Sequence, residues 1–299
     1  MSDFRLPLGD GANAVVEWLT TSADGLFAVI RTVLRAAYEG LDFIFAEPPF
    51  WAVIVVLVAI AWLAKGWKLA LGTGIGLLII VGVDQWEEAM STLALVILAS
   101  AVALLIAIPL GILAARNDTA SKIIRPILDF LQTMPAFVYL IPALMFFGVG
   151  VVPGIVATIV FALAPGVRLT ELGIRGVDSE VVEAGYAFGS TPGRILRQIQ
   201  LPLAMPSIMA GVNQVIMLSL SMVVIAGMVG AGGLGGEVVK ALNRIDIGLG
   251  FEAGVSVVIL AMILDRTTGA LGTRTKKRKP VAAAAPAAAP AATPASVAS

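Results

Sequence analysis

Long apolar runs separated by short polar connections make up most of the chain. A helix that crosses the hydrocarbon core of a bilayer needs about 20 mostly apolar residues. Seven runs approach this length, near residues 49–64, 69–83, 89–115, 130–147, 153–172, 206–229 and 251–264. The pattern predicts an all-α integral membrane protein with about seven transmembrane helices, in a range of six to eight. The first two runs are short, so a re-entrant pair is the alternative there.

Prolines and glycines indicate where these runs bend or pack closely. Pro135 and Pro142 lie inside the fourth run, and each removes a backbone hydrogen-bond donor. Because lipid cannot satisfy the freed carbonyls, we expect the helix to kink or break against neighbouring protein. The sequence GVGVVPG after this run predicts a tight turn. Gly72 and Gly76, spaced as G-x-x-x-G, predict close helix packing in the membrane.

The segment before Pro48 has a different pattern. In LFAVIRTVLRAAYEGLDFIF, apolar residues recur at steps of three and four, and the charged residues lie off that stripe. This period predicts an amphipathic helix. The helix either lies in the outer interface of the membrane or packs on the rest of the protein. The stripe comprises Leu26, Phe27, Ile30, Val33, Leu34, Ala37, Tyr38 and Leu41.

Composition supports the membrane assignment and excludes several kinds of chemistry. Hydrophobic residues make up 59% of the chain and charged residues 13%, with a mean hydropathy of +0.96, whereas soluble domains average about 25% charged residues. The formal net charge is zero, which gives no electrostatic case for nucleic acid as a partner. The chain has neither cysteine nor histidine. Disulfides, thiol chemistry and the commonest metal ligand are therefore excluded, and we expect no metal site.

Lysine and arginine are concentrated in alternate connections between the runs. The opposite connections are the acidic DQWEE, the neutral GVGVVPG and a loop with only Lys240 and Arg244. Because basic loops stay in the cytoplasm, we expect a multi-pass protein with its N-terminus outside and its C-terminus inside. The basic set is Lys65, Lys68, Arg116, Lys122, Arg125, Arg175, Arg194, Arg197, Arg274, Lys276, Lys277, Arg278 and Lys279.

The apolar runs themselves are nearly free of ionisable groups. The polar groups available at depth are neutral, which disfavours a proton- or sodium-coupled carrier and a membrane hydrolase. If the protein moves solutes uphill, its energy must come from a separate chain, because no phosphate-binding G-x-x-x-x-G-K-[ST] occurs. A formal G-x-G-x-x-G at 230–235 follows an apolar helix rather than a strand. This context favours a hinge or close helix packing over a dinucleotide site.

One polar segment, 177–202, lies between two apolar runs and contains the sequence EAGYAFGSTPGRILRQIQLP. Gly189 can end a first helix, and Thr191 followed by Pro192 can begin a second. The second helix should carry two arginines on one side and two isoleucines on another. Pro202 is expected to end it. The pattern predicts two short helices joined by a tight corner, either a knob that fits a partner's groove or an ordinary amphipathic loop.

The spacing within this segment resembles the EAA signature of ABC-importer permeases, E-A-A-x3-G-x9-I-x-L-P. One position departs from it, because Gly185 stands where the signature usually has alanine. Three further segments, at 132–150, 201–238 and 263–272, look like the permease subunit of glycine betaine/proline betaine importers. The resemblance covers about residues 85–272. The matching residues are Glu183, Ala184, Gly185, Gly189, Ile199, Leu201 and Pro202.

The resemblance implies a type I ABC-importer permease core in a bacterial inner membrane. Two copies of the chain would pair around a substrate path, and two ATPase subunits would grip the corners. ATP and magnesium would be bound by those partners, with no cofactor or ATPase site on this chain. An extracytoplasmic binding protein would deliver a quaternary ammonium osmolyte, and membrane lipid would surround the whole. From spacing alone, we expect Arg194 and Arg197 beside Pro192 to add charge pairs to the ATPase.

This interpretation divides the chain into four parts. They are an extracytoplasmic N-terminal segment (1–47), two N-terminal transmembrane helices (48–84), the permease core (85–272) and a basic, then Ala/Pro-rich tail (273–299). The tail's composition predicts disorder, and its basic part either anchors the topology or binds anionic lipid.

A weakly binding, neutral substrate path suits a zwitterionic osmolyte. For the aromatic candidates, lipid contact or core packing is the alternative. For the adjacent amides, helix–helix hydrogen bonding is the alternative. The path candidates are Phe137, Tyr139, Asn213, Gln214, Ser219 and Ser221. Choline or another small polar solute is the alternative substrate, and an ion-coupled carrier or channel, or a membrane scaffold without transport activity, is the alternative function.

Overall fold

The computed structural model describes residues 8–274, and within this range every regular element is helical. The predicted all-α fold is confirmed there, while the tail after residue 274 lies outside the described residues. The helices are α1 (Leu8–Ser22), α2 (Asp24–Ala46), α3 (Phe50–Lys65), α4 (Trp67–Gly82), α5 (Trp86–Arg116), α6 (Asp118–Thr133), α7 (Ala136–Phe147), α8 (Val151–Arg175), α9 (Ser179–Ala187), α10 (Pro192–Ile195), α11 (Leu201–Gly227), α12 (Gly233–Arg244) and α13 (Ile247–Arg274).

Three long helices, α5, α8 and α11, form the core, and α8 packs against both of the others. Small residues let the backbones approach. A Cβ added to Gly111 on α5 would lie 2.5 Å from the Cβ of Thr170, and one added to Gly173 on α8 would lie 2.7 Å from the Cβ of Ser207. Close contact of this kind stabilises helix pairs in lipid, where burial of apolar surface gives no driving force.

Four helices are long and apolar enough to cross a membrane alone: α5, α8, α13 and the continuous helix Pro192–Gly227. The pairs α2–α3 and α6–α7 are long and apolar enough only when each pair is taken together, and α4 has 16 residues. Counting each pair as one span gives six, the lower end of the predicted range. All seven predicted runs overlap helices, but α3, α4 and α7 have only 16, 16 and 12 residues.

The fourth predicted run is broken at its first proline. Helices α6 and α7 meet at an angle of 99°, and Pro135 stands in extended geometry immediately before α7. Pro142 is accommodated inside α7. The predicted break is therefore correct. The predicted start of the run is wrong, because residues 130–133 belong to the amphipathic α6. The predicted turn before α8 is the segment 148–150, where Gly148 and Gly150 have positive φ.

The amphipathic N-terminal segment forms two helices, and α2 packs on the core. Phe27 stacks on Phe146 with ring centroids 4.4 Å apart. Arg31 donates a 2.8 Å hydrogen bond to the carbonyl oxygen of Phe146. The structure therefore shows α2 packed on the rest of the protein, which is one of the two positions that the sequence left open. Leu26 and Val33, which belong to the predicted stripe, are nevertheless exposed on the outer side of α2.

Helices α3 and α4 form a hairpin that packs against α13. A Cβ added to Gly76 would lie 2.8 Å from Ile259 of α13, so this glycine makes the predicted close contact. A Cβ added to Gly72 would meet nothing within 4 Å. The packing prediction is wrong for Gly72, because α4 and α13 are already separated there, one turn away from the contact at Gly76.

The glycine-rich connection after α11 turns α12 back onto α11. A Cβ added to Gly235 would lie 2.1 Å from the carbonyl oxygen of Val223, so the two backbones touch. The amide of Leu234 donates a 2.8 Å hydrogen bond to Oγ1 of Thr92 on α5. The close-packing interpretation of the formal G-x-G-x-x-G is therefore confirmed.

Candidate coupling site and substrate path

The polar segment 177–202 leaves the end of α8 and turns a sharp corner after α9. Gly189 has a φ of +76°, the left-handed conformation that the sequence predicts. The amide of Ser190 donates to the carbonyl of Gly185 at 3.1 Å, and the amide of Gly189 donates to that of Tyr186 at 2.8 Å. These two bonds form a Schellman motif, which satisfies carbonyls that the helix end would leave free.

Both helices of the corner begin at recognisable residues. Asp178 accepts a 3.0 Å hydrogen bond from the amide of Glu180 and so caps α9. Thr191 stands in the predicted cap position in extended geometry, with Pro192 as the first residue of α10. The Thr191 hydroxyl makes no capping hydrogen bond, so only the backbone part of that prediction is right.

The second helix of the corner does not end at Pro202, and that prediction is wrong. A π-helical turn, Leu196–Gln200, joins α10 to α11 in one continuous helix, Pro192–Gly227. The amide of Leu201 donates to the carbonyl of Leu196, five residues earlier. This wider turn accommodates the ring of Pro202, which would otherwise clash with the preceding turn. The corner is therefore directly continuous with a core helix.

The inner side of the corner is packed. A Cβ added to Gly185 would lie 2.8 Å from Cδ1 of Ile199 and 3.4 Å from Cγ1 of Ile195. Ile195 is buried, and the neighbouring Leu196 belongs to a cluster with Ile174 of α8. The two isoleucines therefore share one face, as predicted, and hold α9 against the second helix.

The outer side of the corner is exposed and partly aromatic. Glu183 and Ala184 of the EAA-like sequence both face outward. Phe188 is 89% exposed and Tyr186 is 52% exposed. These two rings were not among the predicted site residues. The available signal was two aromatic residues within a polar segment outside the apolar runs.

A cationic groove adjoins the corner. Arg194 and Arg197 line a cavity of about 490 Å³ together with Arg116 from the end of α5. None of the three arginines makes an ion pair within residues 8–274. The groove is thus suited to carboxylates of another molecule.

An ion-pair network fixes the base of the corner. Glu171, whose side chain is 3% exposed, accepts a 2.7 Å hydrogen bond from Ser121 and pairs with Arg125 at 2.9 Å. Arg175 lies 3.0 Å from Glu171 and 2.7 Å from Asp118. The network joins α6 to the end of α8 from which the corner projects.

Among the path candidates, Asn213 is committed to a helix–helix contact. Its amide nitrogen donates to Asp265 at 2.8 Å, and its oxygen accepts from Thr268 at 2.8 Å. The last apolar run was predicted to end at residue 264, whereas α13 continues to Arg274. Asp265 and Arg266 therefore lie inside this helix and not beyond its end.

The remaining candidates on α11 lie on two faces. Gln214 and Ser221, seven residues apart, are both exposed, and the hydroxyl of Ser221 donates to the carbonyl of Met217 at 3.1 Å. Ser219 is fully buried, and its hydroxyl has no hydrogen-bond partner within the described residues. Among the path candidates on α11, Gln214 and Ser221 are therefore the two that present polar groups outward.

The aromatic candidates on α7 also differ in their surroundings. Phe137 is 52% exposed. Tyr139 packs near Phe161, with ring centroids 6.5 Å apart, and donates a hydrogen bond to the carbonyl of Leu131. Tyr139 therefore packs within the protein, which is the alternative to a role in the substrate path. Phe137 remains available to lipid or to a passing solute.

Comparison with known proteins places the chain in a family. Residues 107–277 match the model for a binding-protein-dependent transport system inner membrane component. The glycine betaine/carnitine transport permease protein GbuB of Listeria monocytogenes is 47% identical over 91% of this chain and 97% of that protein. The glycine betaine/proline betaine transport system permease protein ProW of Escherichia coli is 45% identical over 91% of this chain and 77% of that protein.

The fold agrees with this assignment. An inward-facing structure of the MetNI methionine ABC transporter superposes with a TM-score of 0.58 at 22% identity, over 62% of this chain and 92% of the compared chain. The family model covers α8, the corner and α11, which are the elements that build the candidate coupling site. The chain belongs to the family of binding-protein-dependent transport system inner membrane components.

Proposed function

We propose that this chain is the permease subunit of an ATP-driven importer for glycine betaine or a related quaternary ammonium osmolyte. Its corner would dock on a separate ATPase subunit that holds ATP and magnesium, so the chain needs no ATPase site. An extracytoplasmic binding protein would deliver the solute. The observation that carries the proposal is the EAA-like corner, which exposes Glu183, Ala184 and Phe188 and continues directly into a core helix.

The corner combines the two properties that docking requires. Its interior is packed through Gly185, Ile195 and Ile199, so it can transmit force as a rigid unit. Its exterior offers an exposed ring at Phe188 and the arginine groove. A few residues supply most of the binding energy in a protein interface, and aromatic and arginine side chains are common among them.

Coupling would act through α11. The helix Pro192–Gly227 begins in the corner and ends beside α12 at the opposite end of the bundle. A partner that tilts the corner on nucleotide binding would therefore tilt a spanning helix as a rigid body. The network around Glu171 would carry the same motion to α6.

The transport path would use the exposed face of α11. Gln214 and Ser221 offer neutral polar groups there, and a second copy of the chain would close the path. A trimethylammonium group has no proton to donate, so a neutral lining can pass it without holding it tightly. Solute selection would then reside in the binding protein. This arrangement supports the quaternary ammonium class and leaves choline as the second candidate.

Docking can be tested at Phe188. The variant Phe188→Ala should insert and fold normally, because the ring is 89% exposed. It should weaken retention of the ATPase subunit by about 30-fold, as expected when a central aromatic contact is removed. The matched control is Phe251→Ala, which removes a ring that is 71% exposed on α13. Equal retention by both variants would count against docking through the corner.

Transport itself can be tested by reconstitution. The chain, the ATPase and a candidate binding protein are placed in vesicles, and ATP-dependent uptake of labelled glycine betaine is compared with that of labelled choline. We expect uptake only when all three components are present. Accumulation driven by an ion gradient without the ATPase would instead establish a secondary carrier.

A further inference from the structure

A groove remains open between α4 and α13, and none of its lining residues belongs to the corner or the proposed path. It has a volume of about 620 Å³, and its walls are mainly apolar, including Leu69, Ile79 and Ile263. Gly72 lines it, and a Cβ there would meet nothing within 4 Å. At Gly76 the two helices come close, because an added Cβ there would lie 2.8 Å from Ile259.

One end of the groove is cationic. Lys65 and Lys68 flank the turn between α3 and α4, and Arg266 reaches the same cavity from α13. Nε of Arg266 also lies 3.9 Å from the carboxylate of Asp265, whose other oxygen accepts from Asn213. Three cations beside one carboxylate leave this end of the groove positive.

A polar group is also buried in the apolar wall. Thr73 lines the groove, is 1% exposed, and its hydroxyl oxygen has no hydrogen-bond partner within residues 8–274. A buried hydroxyl without a partner is costly unless another molecule supplies one. Because this oxygen is covered, the Thr73 side chain would have to rotate toward the groove before a lipid ester carbonyl could accept from it.

We propose that this groove binds one anionic phospholipid, with its phosphate between Lys68 and Arg266 and an acyl chain along Gly72. The apolar part of the groove would hold the acyl chain of the lipid, and the cationic end would hold its headgroup. The two parts of the site therefore match the two parts of one lipid molecule. Free phosphate would leave the apolar walls unfilled. The cationic end lies at the same end of the bundle as the corner, since α5 and α13 both begin at the opposite end beside α12.

Native mass spectrometry of the purified full chain tests the site. Delipidated protein is titrated with phosphatidylglycerol or phosphatidylcholine, and bound lipids are counted. We expect tighter retention of phosphatidylglycerol. The variants Lys68→Gln and Arg266→Gln should each lower its affinity by about fivefold, the fold-change that corresponds to about 1 kcal/mol per cation. Arg244→Gln, which removes an exposed cation at the end of α12, should change nothing.

A second pair of variants tests the apolar half separately. Gly72→Leu fills the groove without altering charge, and it should reduce binding of both lipids. Its control is Gly82→Leu on the same helix, where an added Cβ also meets nothing within 4 Å. Circular dichroism checks that each variant is folded. Equal phosphatidylglycerol binding by wild type, Arg266→Gln and Gly72→Leu would overturn the proposal.

A further outcome concerns a protein occupant. Since the chain has no cysteine, Gly72→Cys introduces a single thiol into the groove. A disulfide between two copies at this position would show that the groove is an interface between subunits and would refute lipid binding. Protection of the thiol by phosphatidylglycerol, without dimer formation, is the expected result.

Discussion

Two glycines of the corner have different physical roles. Gly189 has a φ of +76°, and a Cβ there would meet nothing within 4 Å, so backbone conformation alone favours glycine. Gly185 lies within α9, where the constraint is the space left by Ile199. The departure of Gly185 from the alanine of the EAA signature is therefore a small one, because the terminal methyl of Ile199 can move.

Restoring alanine at this position should be tolerated. Gly185→Ala gains helix propensity of about 1 kcal/mol and displaces only the flexible end of Ile199. We expect an unchanged or higher midpoint of thermal unfolding in detergent, with the ATPase still retained. Gly173→Ala is the contrasting variant, since its Cβ would lie 2.7 Å from Ser207 and 3.2 Å from a backbone oxygen. Loss of ATPase retention in folded Gly185→Ala would contradict this account of the corner.

The continuity of the second corner helix with α11 is the main feature at the scale of elements. A π turn absorbs Pro202, and a continuous helix then runs from the corner to the far end of the bundle. There it meets α12 through backbone contact at Gly235. Both ends of this continuous helix are therefore held by close packing.

The contact between α11 and α12 gives a matched pair of variants. Gly235→Ala would place a methyl 2.1 Å from the carbonyl oxygen of Val223, whereas at Gly236 an added Cβ meets nothing within 4 Å. We expect Gly235→Ala to lower stability by about 1–3 kcal/mol, the usual range for overpacking, and Gly236→Ala to remain close to wild type. Thermal unfolding of the two purified variants measures the difference. Similar midpoints would show that the two helices separate easily.

Local signals predicted elements better than their boundaries. Hydrophobic period and composition predicted α2 and the apolar helices, and Pro135 marked the break before α7, because these depend on nearby residues, whereas α1 and α12 were not predicted. The continuation through Pro202 was missed, since proline usually ends a helix and the local sequence does not reveal the π turn that accommodates it. The extension of α13 past residue 264 was missed because its polar residues Asp265 and Thr268 meet their partner, Asn213 of α11, only in the folded bundle.

At the scale of the whole molecule, the bundle has two distinct ends. The corner, the arginine groove and the network of Glu171 lie at one end, and α2, α12 and the beginning of α5 lie at the other. The distribution of lysine and arginine predicts that the corner is cytoplasmic. The sequence shows two aromatic residues in this polar segment, but the exposure of Phe188 and Tyr186 was not predicted because it depends on how α9 packs.

Site-specific photo-crosslinking from Phe188 tests the central claim most directly. A photoreactive phenylalanine analogue at this position, in the assembled transporter in membrane vesicles, should capture the ATPase subunit on illumination. The same analogue at Leu242, which is 72% exposed on α12 at the other end of the bundle, should capture no ATPase. Capture at Leu242 and not at Phe188, or capture at neither position in a transporter that hydrolyses ATP during uptake, would contradict the account.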